Sequence, residues 1–436
     1  MDRIRVGGAL AVLTVLLGAP PVSAGQQPAS AISAASPQDT TDSPPAPIED
    51  TVTAAESDGP RRRLVKFNEI EGPFGSLRVG FGFLYDYAAF DQDENSKQQL
   101  DTETQWKYRD GRILLSGRLN FQRPTTWSAG VMYDANNEKW VFRQTGIMVA
   151  VPELWGHIFV GRSKEGVSLN KVMIGYGGWT MERAPANDAM LPILADGVKW
   201  LGFVPKANIL WTLGWYGDAL SEGQTFSTYE NQVSARFAWA KLLSTDGRQL
   251  LHVGVSERWG KPNNGTLKLR ARPGAWAAPY YVDTGEFAAD STLMTGLEIY
   301  YRPKSFTFGS EYFFQQVDAP DSGNPLFHGG DAFASWLITG EVRTYNTKQG
   351  SFNQISPNRP LFAGGPGAWE VVAHFSTTDF DDGAIAGGSL WRFTPMVNWY
   401  VSDNIRLEFA YGYGSLDRFG LVGKTQFFQT RLQLQL

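Results

Sequence analysis

Thr425 to Leu436 reads TQFFQTRLQLQL, and the alternation in this stretch decides the fold. Phe428, Thr430, Leu432, Leu434 and Leu436 share one parity, while Gln429, Arg431, Gln433 and Gln435 share the other. Successive side chains of a strand point to opposite faces, so one face here is apolar and the other hydrogen-bonding. A soluble sandwich would bury such an apolar face against a second layer. A sequence that ends on the strand itself and opens with an export signal points elsewhere. It fits the closing strand of an outer-membrane barrel, with lipid outside and water within.

The export signal lies in residues 1–24. Arg3 and Arg5 precede the apolar run Ala9 to Leu17, which is too short to span a bilayer, and Val22-Ser23-Ala24 offers a small-residue cleavage site. The alternative, an uncleaved N-terminal anchor, conflicts with that length and with the small residues that close the run. No other segment reaches the roughly 18 to 20 apolar residues of a membrane helix. The 15 Trp, 16 Tyr, 27 Phe and 47 Gly therefore need another explanation. A barrel supplies one, because rings gather in girdles at both membrane interfaces and glycines relieve crowding in the lumen. With no cysteine in the chain, disulfides and Cys-based metal sites are excluded.

Residues 25–66 are rich in Ala, Ser, Thr and Pro and poor in large apolar side chains, the composition of a disordered periplasmic linker. Arg61-Arg62-Arg63 near its end reads as a solvated turn at the periplasmic rim. The formal charge of −5 comes from this front part. Residues 1–60 hold two basic residues against seven acids, which leaves 37 basic and 37 acidic residues beyond them. A neutral barrel of this kind is no nucleic-acid binder, and its selectivity must depend on where charges sit.

The barrel is expected over residues 67–436, and from Ser76 the alternation recurs to the end. Leu77, Val79, Phe81, Phe83 and Tyr85 oppose Arg78, Gly80, Gly82 and Asp86; Val233, Ala235, Phe237 and Trp239 oppose Gln232, Ser234 and Arg236. Ile405, Leu407, Phe409 and Tyr411 oppose Arg406 and Glu408. Full charges on the polar parity would not be tolerated unpaired in a sandwich core but can face a watery lumen. Tight turns are expected at Arg123-Pro124-Thr125, Val204-Pro205-Lys206, Arg302-Pro303-Lys304 and Ser402-Asp403-Asn404. Longer connections are expected around 91–101, 163–196, 218–228, 259–291, 319–332 and 381–389. Short and long alternate, as at the two rims of an outer-membrane barrel of about sixteen antiparallel strands. The long segment Asn346 to Gly367 falls out of turn, on the periplasmic side.

Several blocks resemble the phosphate-selective porin O and P family: Ala334-Ser335-Trp336-Leu337-Ile338-Thr339-Gly340-Glu341, Gly364-Gly365-Pro366-Gly367-Ala368-Trp369-Glu370, Asn398-Trp399-Tyr400, and Gln429 to Leu434. Gly161-Arg162-Ser163-Lys164 and Met181-Glu182-Arg183 are similar to the ends of that family's third loop, and Arg270 to Pro273 with Val282-Asp283-Thr284-Gly285 to its fifth. The resemblance implies a homotrimeric porin of the bacterial outer membrane. Its third loop, about 163–196, would fold inward, a periplasmic-side loop would also enter the channel, and arginines and lysines would line an anion path. Three positions depart from the pattern. Gly166 stands where a proline often follows the loop's lysine, His374 stands where an arginine often precedes Ser376, and the last residue is Leu436 rather than an aromatic.

An anion in a narrow pore loses hydration, so the wall must offer charge-assisted donors, for which the guanidinium fork is suited. The candidates are Arg162, Lys164, Lys171 and Arg183 in the third loop, Arg270 and Arg272 in the fifth, and Arg236 on a strand's polar face. The competing reading pairs each with an acid such as Glu165, Glu182, Glu298 or Glu341. Catalytic and metal residues are not expected, nor is a cofactor. The four histidines are scattered, no His-Glu-x-x-His or Gly-x-Ser-x-Gly occurs, and Asp379, Asp381 and Asp382 read as a solvated acidic tip. The expected function is passive diffusion of small hydrophilic solutes across a lipid-embedded barrel, with anion preference for phosphate or another oxyanion. The alternatives are a general or sugar-type porin and, further off, a barrel enzyme or an adhesion barrel.

Overall fold

The computed structural model describes residues 68–134, 138–173, 175–218, 229–347 and 349–436. The expected signal peptide, linker and Arg61-Arg62-Arg63 turn lie outside the described residues. Sixteen strands form one antiparallel sheet. The first half comprises β1 (Gly75–Gln92), β2 (Gln105–Leu119), β3 (Thr125–Asp134), β4 in two pieces (Lys139–Phe142 and Thr145–Val151), β5 (Gly156–Ser163), β6 (Ala195–Val204), β7 (Ile209–Gly217) and β8 (Tyr229–Leu242). The second comprises β9 (Gln249–Pro262), β10 (Ser291–Pro303), β11 (Phe306–Asp318), β12 (Leu326–Leu337), β13 (Ala368–Asp382), β14 (Ile385–Tyr400), β15 (Ile405–Arg418) and β16 (Leu421–Gln435).

Each strand pairs with its neighbours in the chain, and β16 returns to β1, with Gln435 opposite Gly82 and Thr425 opposite Gln92. Leu436 exchanges backbone hydrogen bonds with Phe81 at 3.0 and 2.7 Å. Glu69–Gly72 then pairs with Gly75–Arg78, so two parts of the chain share one edge of β1. Closure removes the free edge, which lipid would not tolerate. No helix among the described residues is long and apolar enough to cross a membrane; the strands make the crossing.

The parity read from the sequence holds. Phe428, Leu293, Leu297, Ile299 and Phe393 are exposed on the outer face, while Gln429, Arg431, Gln433, Arg236 and Glu408 are buried inside. The connections at residues 120–124, 205–208, 304–305 and 401–404 are short, and those at 93–104, 164–194 and 263–290 are long. Residues 338–367 form the long segment on the short-turn rim. Around 381–389 the expectation of a long loop was wrong: β13 and β14 continue through it, and only Gly383-Ala384 lies outside the strands. Gly383 takes φ +61° and so permits the tight turn.

The polar face of β16 is also not open to water. Gln433 donates to the Tyr176 carbonyl at 3.0 Å, and Arg431 donates to that of Met181. A side chain at Gly82 would lie 2.3 Å from the Tyr176 ring. The inward loop is packed against the wall.

Candidate pore constriction

Residues 164–194 leave β5 at Ser163 and cross the lumen before β6. The entry depends on Gly166, whose φ of +97° excludes proline and where a Cβ would lie 2.3 Å from Thr212 Cγ2. Ser168 then caps a single helical turn, Leu169–Val172. Its free N–H groups face two wall carboxylates: Leu169 donates to Glu298 Oε2 and Asn170 to Glu311 Oε1, each at 2.7 Å. Glu311 also accepts from the Ser168 hydroxyl and, at 2.6 Å, from Tyr300. Further along, Trp179 packs among Tyr300, Phe333 and Phe352, with ring centroids 4.5 to 5.7 Å apart.

The periplasmic-side segment meets this loop from the opposite rim. Arg343 donates to the Gly177 carbonyl and, at 3.1 Å, to both oxygens of Glu370. Tyr345 shares a 2.6 Å hydrogen bond with His252, and Phe352 joins the Trp179 cluster. The third loop and this segment meet through the Gly177 carbonyl and the Trp179 cluster.

Of the seven candidate cations, Arg162 is bound by Asp196 at 2.6 and 3.0 Å, and Arg236 by Glu298 at 2.8 Å. Lys164 donates to the Met173 carbonyl at 2.7 Å and Arg183 to that of Asn170 at 3.2 Å. Lys171 lies 3.7 Å from Asp188. Burial pulls its ammonium down to about 8 despite the attraction of Asp188, and Arg183 adds to the fall. Glu182 behaves in the opposite sense. Burial alone would raise its carboxyl, but Arg109 and Arg431 outweigh that and hold it at about 2.

Arg270 and Arg272 are placed differently. Both guanidiniums lie 4.1 Å from the centroid of Tyr280, and Arg272 also lies 4.4 Å from Trp276, whose ring meets Arg109 at 3.9 Å. Arg109, Trp276, Arg272, Tyr280 and Arg270 thus alternate cation and ring, and among the described residues Arg109 alone of the three cations is held by a carboxylate, Glu182 at 2.8 Å. The rings cover the guanidinium faces, and at its edge Arg272 Nε donates to the Ala278 carbonyl at 2.9 Å. Sequence reasoning missed Arg109, Trp276 and Tyr280. The available signal was two large aromatics in a loop, away from the girdle positions that absorb most rings.

A family model described as phosphate-selective porin O and P matches residues 77–436. The chain belongs to that family. It is 26% identical over 170 residues to an uncharacterised protein of Caulobacter vibrioides, a match covering 38% of this chain and 34% of the relative. It is 22% identical over 199 residues to Porin O of Pseudomonas aeruginosa, covering 39% and 44%. The chain therefore spans less than half the length of the curated relatives it matches. Among solved structures, an anion-selective porin from Comamonas acidovorans superposes with a TM-score of 0.52 at 12% identity, covering 83% of this chain and 100% of that one. The barrel is a porin fold of the bacterial outer membrane.

Proposed function

We propose that this porin is a passive diffusion channel for small hydrophilic solutes with a preference for anions, and that it works as a homotrimer. The observation that carries the anion preference is the Arg109–Trp276–Arg272–Tyr280–Arg270 series. In it Arg270 and Arg272 have no ion pair among the described residues, while Arg162 and Arg236 are already neutralised by Asp196 and Glu298. Cations without a carboxylate partner on a loop of the lumen bias which sign of charge enters it. That the Comamonas acidovorans neighbour is an anion-selective porin supports the same reading. A general porin without charge preference is the second reading, favoured by equal numbers of acids and bases beyond residue 60.

Reversal potentials in planar bilayers across a chloride gradient decide between them. The wild type is expected to be anion-selective, and replacing Arg270 and Arg272 together by Ala should lower the anion-to-cation permeability ratio, most at low salt where screening is weak. A cation-selective wild type, or a double variant with unaltered reversal potential, would leave the general-porin reading. The trimer is tested by cross-linking the unheated, detergent-extracted protein, where a species of one chain only would refute it.

A further inference from the structure

β16 and β1 close the barrel, but their pairing stops short at both rims. At the long-loop rim it ends at Gln92 and Thr425, although β16 begins at Leu421. Strands of a closed barrel are tilted and staggered, and the stagger leaves such overhangs at the seam. At the short-turn rim the overhang belongs to β1. It is covered by Glu69–Gly72, and beside this strand Asn68 Nδ2 donates to the Val79 carbonyl at 2.9 Å. At the long-loop rim the overhang belongs to β16, from Leu421 to Lys424. One edge of it is paired with β15, with Leu421 opposite Arg418. The other edge presents carbonyls that β1 does not reach.

The first loop covers that edge. The Asp93 N–H donates to the Lys424 carbonyl at 3.1 Å, one residue past the last strand pair. The Asp93 side chain caps the helix Glu94–Gln99 by accepting from the Ser96 N–H at 2.8 Å. The helix then lays three side chains on the last hairpin. Asn95 Nδ2 donates to the Val422 carbonyl at 3.0 Å, and the Ser96 hydroxyl lies 2.7 Å from that of Thr425. Gln99 Nε2 lies 2.6 to 3.2 Å from the carbonyl oxygens of Leu416, Arg418 and Leu421. Gly423 allows this close seating, because a Cβ there would lie 2.5 Å from Ser96 Cα and from Gln99 Oε1. Gln92, at the end of β1, braces the loop from behind. It donates to the Ser96 hydroxyl and the Leu100 carbonyl and accepts from the Thr102 N–H at 2.8 Å. The Tyr281 hydroxyl of the fifth loop lies 3.2 Å from Thr102 Oγ1 and 3.3 Å from Thr425 Oγ1, so it touches both sides of the contact.

The side-chain contacts from the helix to the hairpin join residues 317 to 329 positions apart. None of them can form before β16 has come back to β1. They are hydrogen bonds at a rim, where water can take over the groups they release, so the loop can leave while the strands below stay paired. We infer that the first loop is a clasp on the barrel's seam: it seats only once β16 has paired with β1, and its release is the first step by which the closed barrel opens. Contacts that form last and part first govern the rate of opening more than the rate of folding, so the clasp confers kinetic stability. The inference is independent of which solutes pass.

Unfolding of the purified, detergent-solubilised porin is followed at a fixed temperature as the heat-modifiable band shifts with time. Gly423→Val, whose side chain would displace the helix, is expected to raise the unfolding rate at least about tenfold. The chain has no cysteine, so Ser96→Cys combined with Thr425→Cys allows a single cross-link within it, and this variant carries the test if Gly423→Val fails to fold. A cross-link slows unfolding only where the segments it joins part before the transition state; across contacts that survive to that point it leaves the rate unchanged. The oxidised double variant is expected to unfold at least about tenfold more slowly than the same protein reduced. Equal rates for oxidised and reduced protein, or a Gly423→Val barrel that unfolds as slowly as the wild type, would show that opening begins elsewhere and would overturn the clasp. Failure of the two cysteines to cross-link in the folded barrel would overturn the seating of the loop itself.

Discussion

Lys171 shows how one residue's surroundings change what its charge does. Its ammonium is buried in the inward loop, with one carboxylate at 3.7 Å and Arg183 as a like-charged neighbour. Because it titrates at about 8, it is charged at neutral pH and loses its charge within the range where other lysines keep theirs. The anion-to-cation permeability ratio is therefore expected to fall as pH rises through about 8, and Lys171→Met should remove that step from the pH profile. The stability effect has a definite sign. Between about 8 and the ordinary lysine value of 10.5 the unfolded chain holds a proton that the folded chain has released, so stability should rise with pH across this window. Thermal midpoints at pH 7.5 and 10, compared between wild type and Lys171→Met, check it; a wild-type increment no larger than the variant's would contradict the assignment.

A loop and two strands depend on one another in the same way. Glu298 on β10 and Glu311 on β11 stand directly opposite, an arrangement that repels in a bare sheet. The N–H groups of Leu169 and Asn170, the Ser168 hydroxyl and Tyr300 all donate into the pair, and Arg236 neutralises Glu298. The inward loop is thus docked by the acids it stabilises. Glu311→Ala would leave buried donors without an acceptor, at about 1 to 3 kcal/mol each, and should loosen the loop. The expected signs are noisier single-channel current and proteolysis within residues 164–194. Glu311→Gln, which keeps an acceptor oxygen and the shape, should be milder. Equal protease resistance of Glu311→Ala and wild type would show that the loop is held by its Trp179 packing instead. None of this docking is visible from sequence: Glu298 offers itself there only as an ion-pair partner, nothing singles out Glu311, and their partners in the loop lie more than a hundred residues away.

At the scale of the barrel, the legible part of the sequence is what lipid imposes. Alternation at β16, β8 and β15 identified which side chains face outward, since a membrane admits one apolar face and no free edge. The lumen imposes no comparable rule. Its charges were legible as inward-facing, but that Glu298 neutralises Arg236 while Arg270 and Arg272 meet aromatic rings depends on distant strands and on the path of the third and fifth loops. Phe427 and Phe428 test the division most directly, since they are chemically identical neighbours on opposite faces. Phe427 is buried inside against Phe90 and within 5.4 Å of Arg392, while Phe428 is 47% exposed on the outer wall. Both lie near the middle of β16, which closes the barrel against β1. Phe428→Arg would place a charge in the hydrocarbon region, at about 2 to 4 kcal/mol near the midplane, and should reduce the folded fraction recovered from membranes. Phe427→Leu, which keeps an apolar side chain inside, should leave assembly intact and alter only what passes through. Heat-modifiable migration of the two variants gives the comparison. A Phe428→Arg barrel that assembles as well as Phe427→Leu would mean that the apolar parity of this strand is not what the membrane sees.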